Sequence, residues 1–239
     1  MRYSVITFDL DGTLVDTASE IAEAANRTLV ECGLPRQSVE AVSQFIGAGT
    51  RQMMQGLLAH VLRDYPGHQL KLDELQMFNR LDYHYSCTAG MDPRPYPGCA
   101  ESLQRLRAAG VRVACLTNKE HRFAVKVLQA AGLSALLELV IGGDSLPQRK
   151  PDPQPVFHIL KVLGGEAHRA AHVGDSRTDV QTAKAAGVAA WAVPWGYNAG
   201  EPIEASQPDR LFFSLSDIAD HALAAKRAHD PHSLSPYGA

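Results

Sequence analysis

The chain has 239 residues, with 23 basic against 26 acidic side chains and a formal net charge of −3. That length suits one large domain, or one core carrying an inserted second domain, and a near-balanced charge with no basic run excludes a nucleic-acid surface. No apolar stretch approaches the roughly 18 residues of a membrane-spanning helix, which excludes that mode of membrane insertion.

The apolar run Tyr3-Ser4-Val5-Ile6-Thr7-Phe8 predicts a buried strand. So early a strand leaves no room for a signal peptide, and Cys32, Cys87, Cys99 and Cys115 show no metal-like spacing. Both features lead us to expect a reducing, cytoplasmic setting. The ten histidines are scattered, with no His-x-x-x-His pair on a predicted helix, and read as surface or packing residues.

The strand runs directly into Asp9-Leu10-Asp11-Gly12-Thr13-Leu14-Val15-Asp16. Side chains alternate along an extended segment, but a turn at Gly12 lets the backbone curl back. Asp9 and Asp11 then reach one small volume at the strand's C-terminal end. Two carboxylates there repel unless a cation joins them, and Mg²⁺ takes carboxylate oxygens and water. In such a pair one Asp attacks phosphorus while the other moves a proton. The bland alternative is an acidic turn after a strand.

Residues 17–95 read as mostly helical, with helices predicted over 19–31, 38–46, 50–64 and 72–85 and no convincing strand. A helical block of this size between the first two strands predicts a separate small domain. Within it, Phe45-Ile46-Gly47-Ala48-Gly49-Thr50-Arg51 places two glycines before a helix. Their free amides, the helix N-terminus and Arg51 suit an anion, a carboxylate in particular. A simple helix-to-helix turn with a solvated arginine explains the same residues. The proline-rich Asp92-Pro93-Arg94-Pro95-Tyr96-Pro97-Gly98 reads as the return linker.

Beyond the linker, strands and helices alternate. Helices are predicted over 100–109, 122–131, 153–163 and 179–186, and each is followed by glycine. Strands are predicted over 111–116, 139–141, 170–173 and 188–193, with a possible sixth at 211–213. Alternation of this kind makes a parallel sheet with helices on both faces, an α/β, Rossmann-like core. The predicted division is a core over 1–16 and 96–225, a helical domain over 17–95 and a loosely ordered tail over 226–239.

Open parallel sheets bind ligands at the C-terminal ends of their strands, and polar groups cluster at those ends here. The second strand ends Leu116-Thr117-Asn118-Lys119, where the Thr117 hydroxyl and the Asn118 amide suit a phosphate oxygen, although Thr-Asn also serves as a turn or helix cap. In Gln148-Arg149-Lys150-Pro151-Asp152-Pro153 the prolines fix the chain at a helix start. A lysine held there would neutralise phosphate charge and pair with the nucleophilic Asp. In Val173-Gly174-Asp175-Ser176-Arg177-Thr178-Asp179, Asp175 leaves the strand as a hard oxygen donor. Asp179 reads either as a helix-start acid favoured by the dipole or as a group supporting the metal from behind or through water.

These four segments, in this order, resemble motifs I to IV of the haloacid dehalogenase-like superfamily along almost the whole chain. The resemblance implies that superfamily's core fold with an inserted helical C1 cap at 17–95. It also implies that Asp9 is a nucleophile forming an aspartyl phosphate and that Asp11 is the general acid and base. By the same likeness Thr117, Asn118 and Lys150 hold the phosphoryl group, and Lys150 is favoured over Arg149. Mg²⁺ falls to Asp9, Asp175, the Asp11 backbone carbonyl and Asp179.

The Gly47–Gly49 stretch, Arg94-Pro95-Tyr96-Pro97-Gly98 and the segment 140–151 are similar to bacterial phosphoglycolate phosphatases. That likeness implies a small phosphorylated metabolite as partner, 2-phosphoglycolate first, with Gly47, Gly49 and Arg51 reading its carboxylate. The alternatives are another small phosphate ester or pyrophosphate, a β-phosphoglucomutase-like phosphotransferase and a non-catalytic binding protein on the same fold. A dehalogenase needs no general acid at Asp11, and a phosphonatase needs a cap lysine, which Lys71, outside the glycine loop, does not supply. Monomer and homodimer are equally compatible with the chain.

Overall fold

The computed structural model describes residues 3–227. Strand β1 (Val5–Phe8) is buried along its whole length. After the turn at Gly12 the chain makes the short strand β2 (Val15–Asp16) and leaves the sheet. Four helices follow: α1 (Ala18–Glu31), α2 (Val39–Ser43), α3 (Thr50–Asp64) and α4 (Glu74–Thr88). The chain returns through β3 (Arg94–Pro95), which pairs antiparallel with β2, Val15 opposite Pro95 and Asp16 opposite Arg94. The proline-rich linker therefore holds a two-residue strand that periodicity does not reveal. It is too short to show alternation, and Pro95 has no N–H to give the ladder.

From there the chain alternates as predicted: α5 (Cys99–Ala108), β4 (Arg112–Leu116), α6 (His121–Ala130), β5 (Leu139–Ile141), α7 (Gln154–Leu163), β6 (Ala170–Gly174), α8 (Arg177–Ala186), β7 (Ala189–Ala192), β8 (Arg210–Leu211) and α9 (Leu215–Arg227). The six-stranded sheet has the order β5-β4-β1-β6-β7-β8 and every pairing in it is parallel. The last strand lies at 210–211 rather than 211–213. Helix α9 lies inside the stretch read as core end and tail. Its Leu215, Ile218, Ala219 and Ala222 form a buried stripe at helical spacing, so Lys226 and Arg227 are helical, and residues 228–239 of the expected tail lie outside the described residues.

Alternation along the strands splits the core into two faces. Ile6, Phe8, Val113, Cys115, Val173 and Trp191 belong to one apolar cluster, with Leu103 and Leu106 of α5 and Ile218 of α9. Val5, Ala114, Leu116 and Ala190 belong to the other, with Val156 and Ile159 of α7 and Val180 and Ala183 of α8. Helices α7 and α8 each end on a left-handed glycine, Gly164 and Gly187, both with φ 67.

In the helical segment α3 begins and ends where predicted. Helix α2 stops at Ser43 rather than 46, and residues 44–47 form turns before Gly47 (φ 124). Helix α4 starts at Glu74 because the Asp73 side chain accepts from the Gln76 N–H at 2.7 Å and caps it. It runs on to Thr88.

Candidate active site

The Asp9 N–H is still in the sheet, donating to the Val173 carbonyl at 2.8 Å. Its carboxylate therefore stands just above the C-terminal edge of the central strand. Gly12 then turns the chain with φ 83, and a Cβ there would lie 2.5 Å from Asp175 Oδ2. The tight approach of the first turn to Asp175 thus needs glycine on two counts, conformation and space. The turn brings Asp11 back over the edge, where its Oδ1 accepts from Thr17 Oγ1 and from Lys119 Nζ, each at 2.5 Å. Asp11 accordingly has a basic neighbour, Lys119 from the end of β4.

Lys150 is buried with its ammonium 2.8 Å from Asp9 Oδ1 and 2.6 Å from Asp179 Oδ1. Desolvation opposes its charge, but the two carboxylates outweigh it and hold the ammonium well above the ordinary lysine range. Asp179 is fully engaged. Its Oδ1 meets Lys150 and His172 Nε2 (3.1 Å), and its Oδ2 accepts from the N–H (3.1 Å) and hydroxyl (2.5 Å) of Ser176, which caps α8. Burial holds His172 below the usual imidazole range. A neutral ring that donates from Nε2 to Asp179 must accept at Nδ1, and Thr7 Oγ1 lies 2.8 Å from that atom. A chain of contacts thus runs Thr7, His172, Asp179, Lys150, Asp9.

Asp175 accepts from Thr13 Oγ1 at 2.8 Å and from the Tyr197 N–H at 2.5 Å. Burial, followed by the charges of Asp179 and Asp9, pushes its carboxyl well above the usual range. Asp9 is pushed up to about 7, chiefly by burial, with Lys150 opposing. One oxygen from each of Asp9, Asp175 and Asp179 lies within 4.8 Å of the others. Asp9 Oδ1 is buried against the Lys150 ammonium, with no other hydrogen-bond partner. Three buried carboxylates crowded together, with one ammonium among them, are the donor set of a hard divalent cation. Asp9 and Asp175 keep lone pairs for such an ion. Asp179, committed to Lys150, His172 and Ser176, is placed to support it from behind.

At the end of β4, Thr117 is buried and its Oγ1 accepts from the Lys119 N–H at 3.2 Å. The Asn118 side chain donates to the carbonyls of Gly47 (3.1 Å) and Lys150 (3.0 Å), tying the loop before α3 to the Lys150 loop. Thr50, at the start of α3, donates to Glu120 at 2.7 Å. These contacts seat the glycine loop over the strand ends and enclose a cleft of about 390 Å³, counting its open mouth. Asp9, Asp11, Thr117, Asn118 and Lys119 line one side; Ile46, Gly47, Gly49, Thr50 and Met53 face them, with Ile21 and Tyr85 alongside.

The expected site residues of the core thus come together, and Gly47 and Gly49 join them. Arg51 does not. It is exposed, with its guanidinium 4.8 Å from the centre of the Phe78 ring, in an outer groove with Asp73 and Glu74. The inward face of α3 is set by Met53, Met54, Leu57 and Val61, and position 51 falls off it. Sequence reasoning passed over Lys119 and His172. The signals were present, a lysine directly after Thr117-Asn118 and a histidine inside an apolar strand. Tyr85 and Tyr197 gave none, since each arrives from a distant part of the chain.

The haloacid dehalogenase-like hydrolase family matches residues 3–187. A phosphoglycolate phosphatase of Thiobacillus denitrificans is 36% identical over 214 residues, 90% of this chain and 93% of that protein. Phosphoglycolate phosphatase 1 of Pseudomonas aeruginosa is 37% identical over 234 residues, 97% of this chain and 85% of that one. The crystal structure of a predicted phosphoglycolate phosphatase from Haemophilus somnus superimposes with a TM-score of 0.87 at 31% identity, covering 92% of this chain and 98% of its own. With the Asp9 strand, the buried lysine and the acidic cluster in place, the match over most of the chain establishes that the protein belongs to the haloacid dehalogenase-like hydrolase family.

Proposed function

We propose that this hydrolase is a Mg²⁺-dependent phosphomonoesterase whose substrate is 2-phosphoglycolate, cleaved to glycolate and phosphate. The observation that carries the chemistry is the pairing of Asp9, buried against the Lys150 ammonium, and Asp11, held beside it by Thr17 and Lys119. The choice of substrate is supported by the names of the relatives and by the small cleft.

In the reading we favour, the Asp9 carboxylate attacks phosphorus in line and the bond to the leaving oxygen breaks. Asp11 gives its proton to that oxygen. Asp11, now a carboxylate, takes a proton from water, which attacks the aspartyl phosphate and frees Asp9 and phosphate. Lys150 neutralises charge on the transferring phosphoryl group, and Thr117 and the Asn118 amide orient it. His172 and Ser176 keep Asp179 in place, and Asp179 keeps Lys150 on Asp9. A Mg²⁺ held by Asp9 and Asp175, with the Asp11 carbonyl and with Asp179 behind, would supply charge neutralisation and a fixed phosphate orientation.

We assign residues 17–95 the role of a cap over a core of 1–16 and 96–225, supported by the seating of the glycine loop on β4's end. A cap that closes excludes water between the two steps. A cytoplasmic setting is supported by four free cysteines, and no helix among the described residues is long and apolar enough to cross a membrane.

The test is phosphate release from 2-phosphoglycolate, sugar phosphates, nucleotides and pyrophosphate, with Mg²⁺ and with a chelator. The expected result is a Mg²⁺-dependent preference in kcat/KM for 2-phosphoglycolate. Asp9→Asn should lower kcat by at least about 10³-fold, because an amide is a poor nucleophile. Turnover near wild type in that variant removes Asp9 from its role. A preference for another ester removes the substrate and leaves the chemistry.

A further inference from the structure

Lys119 is a buried cation with no part in the two chemical steps. Its side chain is 2% exposed. Its ammonium lies 2.5 Å from Asp11 Oδ1 and donates to Tyr85 Oη, which α4 brings over the strand ends. It is the sole cationic side chain among the described residues that line the cleft. Lys150 is turned to Asp9 and Asp179, and Arg51 is outside, over Phe78. An ammonium has three N–H donors; Asp11 and Tyr85 take two. A buried ammonium is costly unless it is well paired, and the side of it that faces the cleft lies where the leaving group must sit, next to the general acid.

We propose that Lys119 reads a carboxylate on the leaving group, so that the enzyme selects phosphate esters of 2-hydroxy carboxylic acids. This rests on the phosphatase reading above. Length decides the selection. Asp11 must be within hydrogen-bond reach of the ester oxygen, and Lys119 Nζ is 2.5 Å from Asp11 Oδ1. Ordinary bond lengths put a carboxylate oxygen on the adjacent carbon about 3 Å from that ester oxygen. A carboxylate in that position meets the ammonium while Asp11 protonates the ester oxygen. A carboxylate one carbon further out meets the ammonium only by folding back and freezing an extra torsion, which costs affinity, and a hydroxyl brings no charge. Ile21 and Met53, which line the same cleft, offer a leaving group no polar partner from their side chains.

Replacing Lys119 also removes a partner of Asp11, so a loss of rate alone does not distinguish reading a carboxylate from positioning an acid. The ratio of two substrates does. We would measure kcat/KM for 2-phosphoglycolate and for 2-hydroxyethyl phosphate, in which a hydroxymethyl group stands where the carboxylate was. Lys119→Met, and Lys119→Gln, which keeps a donor for Asp11, should each cut the wild-type preference for 2-phosphoglycolate by about 10- to 100-fold, the worth of one charge-assisted hydrogen bond. An unchanged ratio, whatever happens to the absolute rates, overturns the proposal and leaves Lys119 a positioning residue for Asp11.

Should both variants fail to fold, the wild-type enzyme decides. The phosphate ester of 3-hydroxypropionate, with its carboxylate one carbon further out, should be hydrolysed at least about 10-fold less well than 2-phosphoglycolate; equal rates overturn the proposal. Failure of the underlying reading looks different, because the wild type then releases no phosphate from any of the three esters, and both readings fall together.

Discussion

Asp9, Asp175 and Asp179 place three buried carboxylates in one small volume beside a single ammonium. Asp179 takes the larger share of Lys150 and is held well below the usual carboxylate range, while Asp9 is pushed up to about 7 and Asp175 well above its ordinary value. The sign for stability follows. A carboxyl whose folded pKa lies above its unfolded one binds more protons folded than unfolded, so the metal-free protein loses stability as pH rises from the unfolded toward the folded pKa. His172 and His221, held low by burial, oppose this below their ordinary range, while Glu20, raised by burial, adds to it, and the large shifts of Asp9 and Asp175 set the sign. Metal-free protein should therefore melt at a lower temperature at about pH 8 than at about pH 5, and Mg²⁺ should restore more at the higher pH. At a hundredfold excess over Kd the gain is about 3 kcal/mol. Thermal melts at the two pH values, with and without Mg²⁺, check it; an equal gain at both rejects the coupling.

At the scale of elements, the helical segment is held by apolar stripes rather than by surface charge. Helix α4 buries Met77, Phe78, Leu81 and Tyr85 in the same cluster as Ile21, Ala25 and Leu29 of α1. Arg80 lies on the other side of α4 and reaches Glu31 of α1 with two hydrogen bonds, at 2.6 and 2.7 Å, which hold the Glu31 carboxyl below its usual range. Both partners are exposed enough for solvent to screen them. Leu81→Ala should cost about 2–5 kcal/mol through the cavity it leaves, and Arg80→Ala at most about 1 kcal/mol. Urea denaturation of the two variants checks the order, and a larger loss for Arg80→Ala would mean that the ion pair, not the stripe, joins α1 to α4.

On the scale of the whole molecule, the cleft exists because the helical segment is tied to the strand ends and to α6 at several points, Arg122 to Asp82 and Lys126 to the Ser86 carbonyl among them. Asn118 holds the Gly47 carbonyl, Thr50 holds Glu120, and Lys119 holds Tyr85. Thr50→Val keeps the shape of the side chain and removes the donor to Glu120. The glycine loop should then seat less firmly, raising KM for 2-phosphoglycolate by about 3- to 15-fold, as expected for one net hydrogen bond, while kcat changes less. Steady-state kinetics separate the two constants. A fall in kcat with KM unchanged would mean that Thr50 acts on the chemistry and not on closure.

The alternating strands and helices of the core, the helical segment between its first two strands, and the four polar strand ends were legible because each is local. Strand alternation, helical spacing and a glycine turn are written within a few residues, and a parallel sheet needs its crossovers to be helices. That is why Asp9, Asp11, Thr117, Asn118, Lys150, Asp175 and Asp179 could be named from their places after strands. Strand β3 and helix α9 were not, one because two residues show no period, the other because its stripe followed an expected core end.

The partners of the named residues depended on the fold. Whether Asp11 faces a cation, and which one, depends on β4 lying beside β1 in the sheet. Arg51 reads in the sequence as a carboxylate reader because it follows two glycines in the first turn of a helix, yet the packing of α3 turns it outward. Lys119 and Tyr85 are 34 residues apart and meet only because α4 is folded over the strand ends. The identity of the chemical groups is a property of the chain, and the order of the motifs along it. The pairing of buried charges is a property of long-range contacts, because a charge buried by one segment is balanced by whichever segment the packing brings against it.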